Sequence, residues 1–311
     1  MKTVVITGAN VGIGYATARY IARQSDWHVV LACRNEQKGA AAAAAIVREQ
    51  PRAQVTVAPL DLFSLSSVRA LPGWLAAQKL PPIHGLILNA GGINMKAKAP
   101  EFTEDGFERT FQLNFLGHFL LANLMVESMS APGRILFVSS DLHDPAATRM
   151  GRIHPPRYGP LEDLAYAKGS AARLRPMGRY ATAKMYTIMC MYELSRRHVQ
   201  AGQQIMVNAW SPGVVPTTQA GRGMPRVLKL IMTSGWFVSL MGSHLSTEEE
   251  AAEALGALLI DQRYEGITGR YFDGRREIPS SVESRDEDKG RSVWKQAEIL
   301  AGLRQRAASE V

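Results

Sequence analysis

In the stretch GRYATAKMYTIM, residues 178–189, a tyrosine and a lysine stand four positions apart with Ala181, Thr182 and Ala183 between them. On a helix that spacing is close to one turn and brings both side chains to one face. A phenol has a usual pKa of about 10, so at pH 7 it is mostly protonated and a poor base. An ammonium about 4 Å away interacts with a phenolate by roughly 4 kcal/mol at an effective dielectric near 20, and one pKa unit corresponds to about 1.4 kcal/mol. Tyr180 beside Lys184 could therefore exchange a proton near working pH. The same spacing also fits an ordinary amphipathic helix, and the elements around the pair must decide between the two.

The chain has 311 residues, 46% of them hydrophobic and 21% charged, enough for a large core. No apolar run reaches the roughly 18 to 20 residues that cross a bilayer, and the opening MKTVVITGAN contains no cleavable leader. These features predict a soluble, cytoplasmic protein. Cys33 and Cys190 both sit in apolar segments, which fits a reducing compartment better than a disulfide framework. The formal charge is +8, but Lys and Arg are scattered and nowhere interleaved with exposed aromatics. That pattern favours a polyanionic cofactor or an anionic surface as partner, and no nucleic acid.

Apolar, β-branched runs alternate with helical patterns along the chain. KTVVIT (2–7), HVVLAC (28–33), QVTVAPL (54–60), HGLILN (84–89), GRILFVS (133–139) and QIMVNAW (204–210) read as strands, and GRYF adds a short one later. Strand and helix in alternation, without hairpin signals, predict an α/β fold of about seven strands: a doubly wound parallel sheet with helices on both faces. Further helices are expected at about 105–128, through Tyr180 to about 198, from Ser246 onward, and at about 291–306. With no Pro- or Ser-rich linker in the chain, residues 1–311 read as one domain.

Between the first strand and the first helix stands TGANVGIG, with Gly8, Gly12 and Gly14. Glycines there allow a tight turn and let backbone N–H groups approach a pyrophosphate at a helix N-terminus. At the end of the second strand, where an NAD site usually carries a carboxylate, the chain reads LACRNEQK, with Arg34 and, one turn on, Lys38. Two cations there fit a ribose 2′-phosphate, which predicts NADPH/NADP+ as the cofactor.

Together these residues make the chain resemble the short-chain dehydrogenase/reductases, a Rossmann-type family. The family's glycine turn T-G-x-x-x-G-x-G matches Thr7 to Gly14, its N-A-G strand end matches Asn89, Ala90 and Gly91, and its Y-x-x-x-K matches Tyr180 and Lys184. Asp61 with Leu62, Asn114, the second serine of FVSS (Ser140), and P-G-x-x-x-T at Pro212, Gly213 and Thr217 extend the match. The resemblance implies that Ser140 binds the substrate oxygen, that Tyr180 is the proton donor in reduction and that Lys184 tunes it while holding the nicotinamide ribose. Asn114 would join Lys184 to solvent through water. Asn10 and Ile13 in the glycine turn, and Val215 after the P-G pair, are implied cofactor contacts along with the motif residues.

Within the superfamily, ACRNEQK, NFLGHFLLANLM, STEEEAAEAL and VWKQAEILAGL are similar to light-dependent protochlorophyllide oxidoreductases and to retinol dehydrogenase-like enzymes. The pigment enzymes carry a cysteine after the P-G pair, where this chain has Val214. The leading expectation is hydride transfer between NADPH and a bulky, largely apolar carbonyl or alcohol. Light-driven reduction of a tetrapyrrole C=C bond is the alternative. Two segments, about 141–177 and 217–244, are expected to wall the substrate pocket, and the second mixes apolar and basic residues in a way that suits contact with a membrane surface. Pairing of two copies through the long helices is a further expectation from the family. His118 reads as a packed helix residue, and no cluster has metal-ligand spacing, so no metal is expected.

Overall fold

Strands covered on both faces must be apolar throughout, and the chain supplies such runs in series. The computed structural model describes residues 1–215 and 246–304. Its strands are β1 (Lys2–Thr7), β2 (Trp27–Cys33), β3 (Gln54–Pro59), β4 (Ile83–Leu88), β5 (Met129–Val138), β6 (Ile205–Ser211), β7 (Tyr271–Asp273) and β8 (Arg276–Ile278). They form one sheet in the order β3-β2-β1-β4-β5-β6-β7-β8. Pairing is parallel from β3 across to β7, and β8 is antiparallel to β7. The order reverses between β1 and β4, and a crevice opens at such a switch point beyond the carboxyl ends of the strands.

The helices are α1 (Gly12–Ile21), α2 (Glu36–Glu49), α3 (Leu65–Ala77), α4 (Arg109–Phe111), α5 (Gly117–Val126), α6 (Arg149–Ile153), α7 (Leu161–Ala165), α8 (Pro176–Gln200), α9 (Glu248–Ile260) and α10 (Glu287–Leu300). Alternate residues of each strand point to opposite faces, which gives two cores. Val5, Val30, Leu86, Leu88, Ile135 and Phe137 pack with α3, α5, α8 and α10. Val4, Ile6, Leu31, Ile87 and Leu136 pack with α1, α2 and α9. Among the described residues no helix is long and apolar enough to cross a membrane.

The structure departs from the sequence reading in several places. The sheet has eight strands where about seven were expected, because β8 is a short, largely exposed edge strand with no apolar run to announce it. The helix expected over about 105–128 begins at Arg109 and is broken by a π-helical turn, Gln112–Leu116, before α5. At α9 the cap is Thr247 rather than Ser246; its hydroxyl and the Glu250 carboxylate form a reciprocal capping box. The last helix starts at Glu287 behind an Asp286 cap, four residues before the expected start, and ends at Leu300. The insertion expected as an irregular pocket wall contains α6 and α7, and Leu161 and Leu164 of α7 are fully buried. Helix α10 lies against α8 and sends Trp294 edge-on to Phe119 of α5 at 4.8 Å.

Candidate active site

The ends of β1 and β4 are fastened together by one hydroxyl. Thr7 Oγ1 accepts hydrogen bonds from the N–H groups of Asn89 and Ala90, each at 2.9 Å, and lies 3.0 Å from Nε2 of His118. Asn89 Nδ2 donates to the Thr7 carbonyl at 2.9 Å. His118 is therefore a packed residue, and burial lowers its pKa to about 3 and keeps it neutral.

The glycine turn then closes over this junction. Gly8 and Gly12 have φ of 67° and 61°, in the left-handed region. A Cβ on Gly14 would lie 2.5 Å from Asn89 Nδ2 and 2.7 Å from the Gly8 carbonyl oxygen. Helix α1 begins at Gly12 without a side-chain cap and without an acidic residue in its first turn. Such an end offers backbone N–H groups and the positive end of the helix dipole to an anion. The turn thus fits the pyrophosphate of a dinucleotide. Asn10 is half-buried at its edge, and Ile13 points into the core, which leaves its backbone for ligand contact.

On the adenosine side, Arg34 and Lys38 are exposed at the end of β2 and the start of α2. Asn35 Oδ1 caps that helix by accepting the Lys38 N–H at 2.8 Å. The Asp61 carboxylate accepts the Phe63 N–H at 3.0 Å, and Leu62 is buried. Phe63 is absent from the sequence reading, yet the Arg34 guanidinium lies 5.3 Å from its ring centroid. On the far side of the crevice, Pro212 and Gly213 follow β6, with Gly213 at φ 66°. Val215 is buried and Val214 half-buried. Thr217 and the whole 217–244 segment lie outside the described residues.

Helix α8 and the turn after β5 carry the titratable cluster. Tyr180 and Lys184 are one turn apart on α8, with Lys184 Nζ 5.6 Å from the Tyr180 ring centroid. Lys184 is fully buried and donates to the Val138 carbonyl at 2.7 Å. The two serines after β5 both meet α8, at different points. Ser139 turns to α8, where its hydroxyl donates to the Lys184 carbonyl at 3.2 Å. Ser140 turns to Tyr180, with which it shares a hydrogen bond. Its hydroxyl also donates to Asp141 Oδ1 at 3.2 Å and accepts the Leu142 N–H at 3.3 Å.

Asn114 sits in the π-helical turn. Its Nδ2 donates to the carbonyls of Gly92 and Thr110, at 2.9 and 2.8 Å, and its Oδ1 accepts the Gly92 N–H at 3.0 Å. That side chain clamps the loop after β4, and its own carbonyl accepts the Thr187 hydroxyl at 3.1 Å. The water link expected of it has to compete with these bonds. Gly91 fills the corner between the two halves of the site: a Cβ there would lie 2.8 Å from Asn114 Oδ1 and 3.6 Å from Lys184 Nζ.

Electrostatics reverse one expectation. Lys184 does not bring the Tyr180 phenol toward neutrality; although Tyr180 is only half-buried, desolvation pushes that phenol above its usual value, with the Asp141 charge adding to the rise and the Ser140 hydrogen bond opposing it. Burial also lowers Lys184 to about 7. Estimating the pair from Coulomb attraction alone leaves out the desolvation of both partners, and here desolvation is the larger effect.

Sequence reasoning also missed His143. Its Nδ1 donates to the Ser140 carbonyl at 2.6 Å, and its Nε2 accepts the Ser281 N–H at 3.1 Å. This buried, neutral imidazole ties the turn after Ser140 to a segment 138 positions away. Its position three residues after Ser140 is the one local signal that could have found it. Among the described residues no group of three or more His, Cys, Asp or Glu is placed to hold a metal ion.

The short chain dehydrogenase family matches residues 2–159. Over 307 residues the chain is 34% identical to retinol dehydrogenase 13 of Mus musculus, covering 97% of this chain and 84% of that protein. It is 32% identical over 322 residues to the chloroplastic protochlorophyllide reductase B of Hordeum vulgare, covering 96% and 78% respectively. A solved Serratia marcescens short-chain dehydrogenase/reductase double mutant shares the fold, with a TM-score of 0.63 at 18% identity over 88% of this chain and 97% of that one.

Proposed function

The chain belongs to the short-chain dehydrogenase family, and on that premise we propose that it is an NADPH-dependent oxidoreductase acting on a bulky, largely apolar carbonyl or alcohol. Members of the family are oxidoreductases that use a nicotinamide cofactor. The observation that carries the finer reading is the convergence of Ser140, Tyr180 and Lys184 beside Gly91, at the end of the crevice that begins with the glycine turn. Arg34 and Lys38, at the position where an NAD site has its carboxylate, support NADPH as the partner.

When bound, the nicotinamide supplies or accepts the hydride. The proton is the task of the side chains. Burial keeps the Tyr180 phenol protonated across the working range, so it is prepared to give a proton to a substrate oxygen in the reductive direction. Ser140 polarises the same oxygen once its proton turns from Asp141 to the substrate. The phenolate left behind faces Lys184, whose pKa of about 7 lets it take up a compensating proton near neutrality. Asn114 and His143 hold the loops on either side of this transfer.

A second reading, light-dependent reduction of a tetrapyrrole, is favoured by the 32% identity to a protochlorophyllide reductase. A panel of aldehydes, ketones and alcohols of increasing apolar bulk, run with NADPH and with NADH, in darkness and under illumination, separates the two. Dark turnover of apolar carbonyls with NADPH, lost in Tyr180→Phe, supports the first reading. Turnover of protochlorophyllide only under illumination replaces it with the second, and equal use of NADH removes the NADPH assignment.

A further inference from the structure

Phe63, just after β3, has two guanidiniums against its ring. The Cζ of Arg34, from the end of β2, is 5.3 Å from the centroid, and the Cζ of Arg109, the first residue of α4, is 4.2 Å from it. Three elements far apart in sequence therefore bring two fixed cations to one aromatic platform beside Asp61 and Leu62. Stacking on an aromatic ring attracts each guanidinium and restricts its rotamers. The two cations nevertheless repel each other over less than about 10 Å, close to the Debye length at physiological salt, so solvent ions screen them only in part.

The arrangement calls for an anion. Arg109 Nε has one at 3.6 Å, Oε2 of Glu101, but the two side chains are 40% and 48% exposed, and a surface pair of this kind is weak and readily exchanged. Glu101 also accepts a hydrogen bond from Asn94 Nδ2 at 3.0 Å, so it has a partner to keep if Arg109 turns away. Arg34 and Lys38 enter no ion pair among the described residues. Arg34 and Arg109 thus meet at Phe63, and Lys38 stands exposed one turn beyond Arg34.

We infer that Phe63 and Arg109 complete a subsite for a phosphate monoester on the adenosine ribose, in which Arg34, Lys38 and Arg109 share the dianion and Phe63 holds the two guanidiniums ready for it. The inference rests on the NADP(H) reading above and extends it to two residues outside the cofactor motifs. A guanidinium can offer paired N–H donors to phosphate oxygens, and fixing it beforehand reduces the ordering cost of binding. A cofactor without the phosphate gains nothing from either residue.

The test is equilibrium binding of NADPH, NADH and adenosine 2′,5′-bisphosphate to the wild-type chain and to Arg34→Ala, Arg109→Gln, Arg109→Lys and Phe63→Leu. Arg109→Gln is expected to weaken NADPH and the bisphosphate about tenfold, with NADH unchanged within about twofold and a shallower salt dependence. Arg109→Lys keeps the charge and loses the planar stack, so it falls between, and Phe63→Leu weakens NADPH about threefold. Thermal melts within about 2 °C of the wild type show that the variants are folded. If Arg109→Gln keeps the wild-type preference for NADPH while Arg34→Ala loses it, the inference is overturned and the NADP(H) reading stands. If the wild type itself binds NADH as tightly as NADPH, that reading fails and takes the inference with it.

Discussion

The glycine turn and the Ser140–Tyr180–Lys184 cluster face the same crevice and are built in opposite ways. At Gly8, Gly12 and Gly14 the chain works with backbone alone: left-handed φ values, an uncapped helix start and a contact so close that Gly14 has no room for a Cβ. None of this changes with pH. At the cluster the backbone is ordinary strand and helix, and the work is done by ionisable groups drawn out of water, the half-buried Tyr180 pushed up and the fully buried Lys184 pulled down. The first region binds through fixed dipoles, while the second stores charge states that are costly until the chemistry calls for them. Mutations should therefore separate binding from proton transfer cleanly.

The largest separation is expected from Tyr180→Phe, which removes the proton donor and leaves the turn untouched. Steady-state turnover should fall about a thousandfold while cofactor affinity stays within about threefold. Next is the pair of serines: Ser140→Ala should lower kcat by about a hundredfold, whereas Ser139→Ala, which loses only its bond to the Lys184 carbonyl, should cost about 1 kcal/mol of stability and little activity. Gly14→Ala attacks the other region. Its Cβ would meet Asn89 Nδ2 and the Gly8 carbonyl, so cofactor affinity should fall about tenfold or more, with about 1–3 kcal/mol of stability lost by overpacking.

The smallest effect is the most specific. In the unfolded chain Lys184 holds its proton up to about 10.5, and in the fold only to about 7. Unfolding takes up a proton between those values, so burying Lys184 costs most below pH 7, and the cost fades as the pH rises toward 10.5. Lys184→Met should therefore lose activity yet raise Tm by about 2 °C or more at pH 7, with the gain shrinking by pH 10. A Tm that falls equally at both pH values would mean that the bond to the Val138 carbonyl outweighs the burial of the charge.

The two regions also differ in how far the sequence reveals them. The glycine turn is local: strand, turn and helix are contiguous from Lys2 to Ile21, and the residue types required are unusual enough to read. The same holds for Tyr180 and Lys184 on one helix, and for the parallel sheet implied by the apolar runs. Phe63 beneath Arg34 depends on which segments the fold brings together, and no spacing announces it; His143 stands three residues after Ser140, but its link to Ser281 is equally non-local. The direction of the Tyr180 shift was misread for a related reason. Spacing gives the distance to the neighbouring ammonium, but not how far the fold takes either side chain out of water. Edge strand β8 escaped notice because it is short and faces solvent.

The central claim is that burial holds Tyr180 as an acid. Its most direct test is an ultraviolet difference titration of phenolate absorbance, comparing wild type with Tyr180→Phe in the chain alone. The claim predicts that no phenolate signal assignable to Tyr180 appears below about pH 10, its usual value. A difference signal with a midpoint near pH 7 would contradict it, and would mean that Lys184, rather than burial, sets the charge of the site.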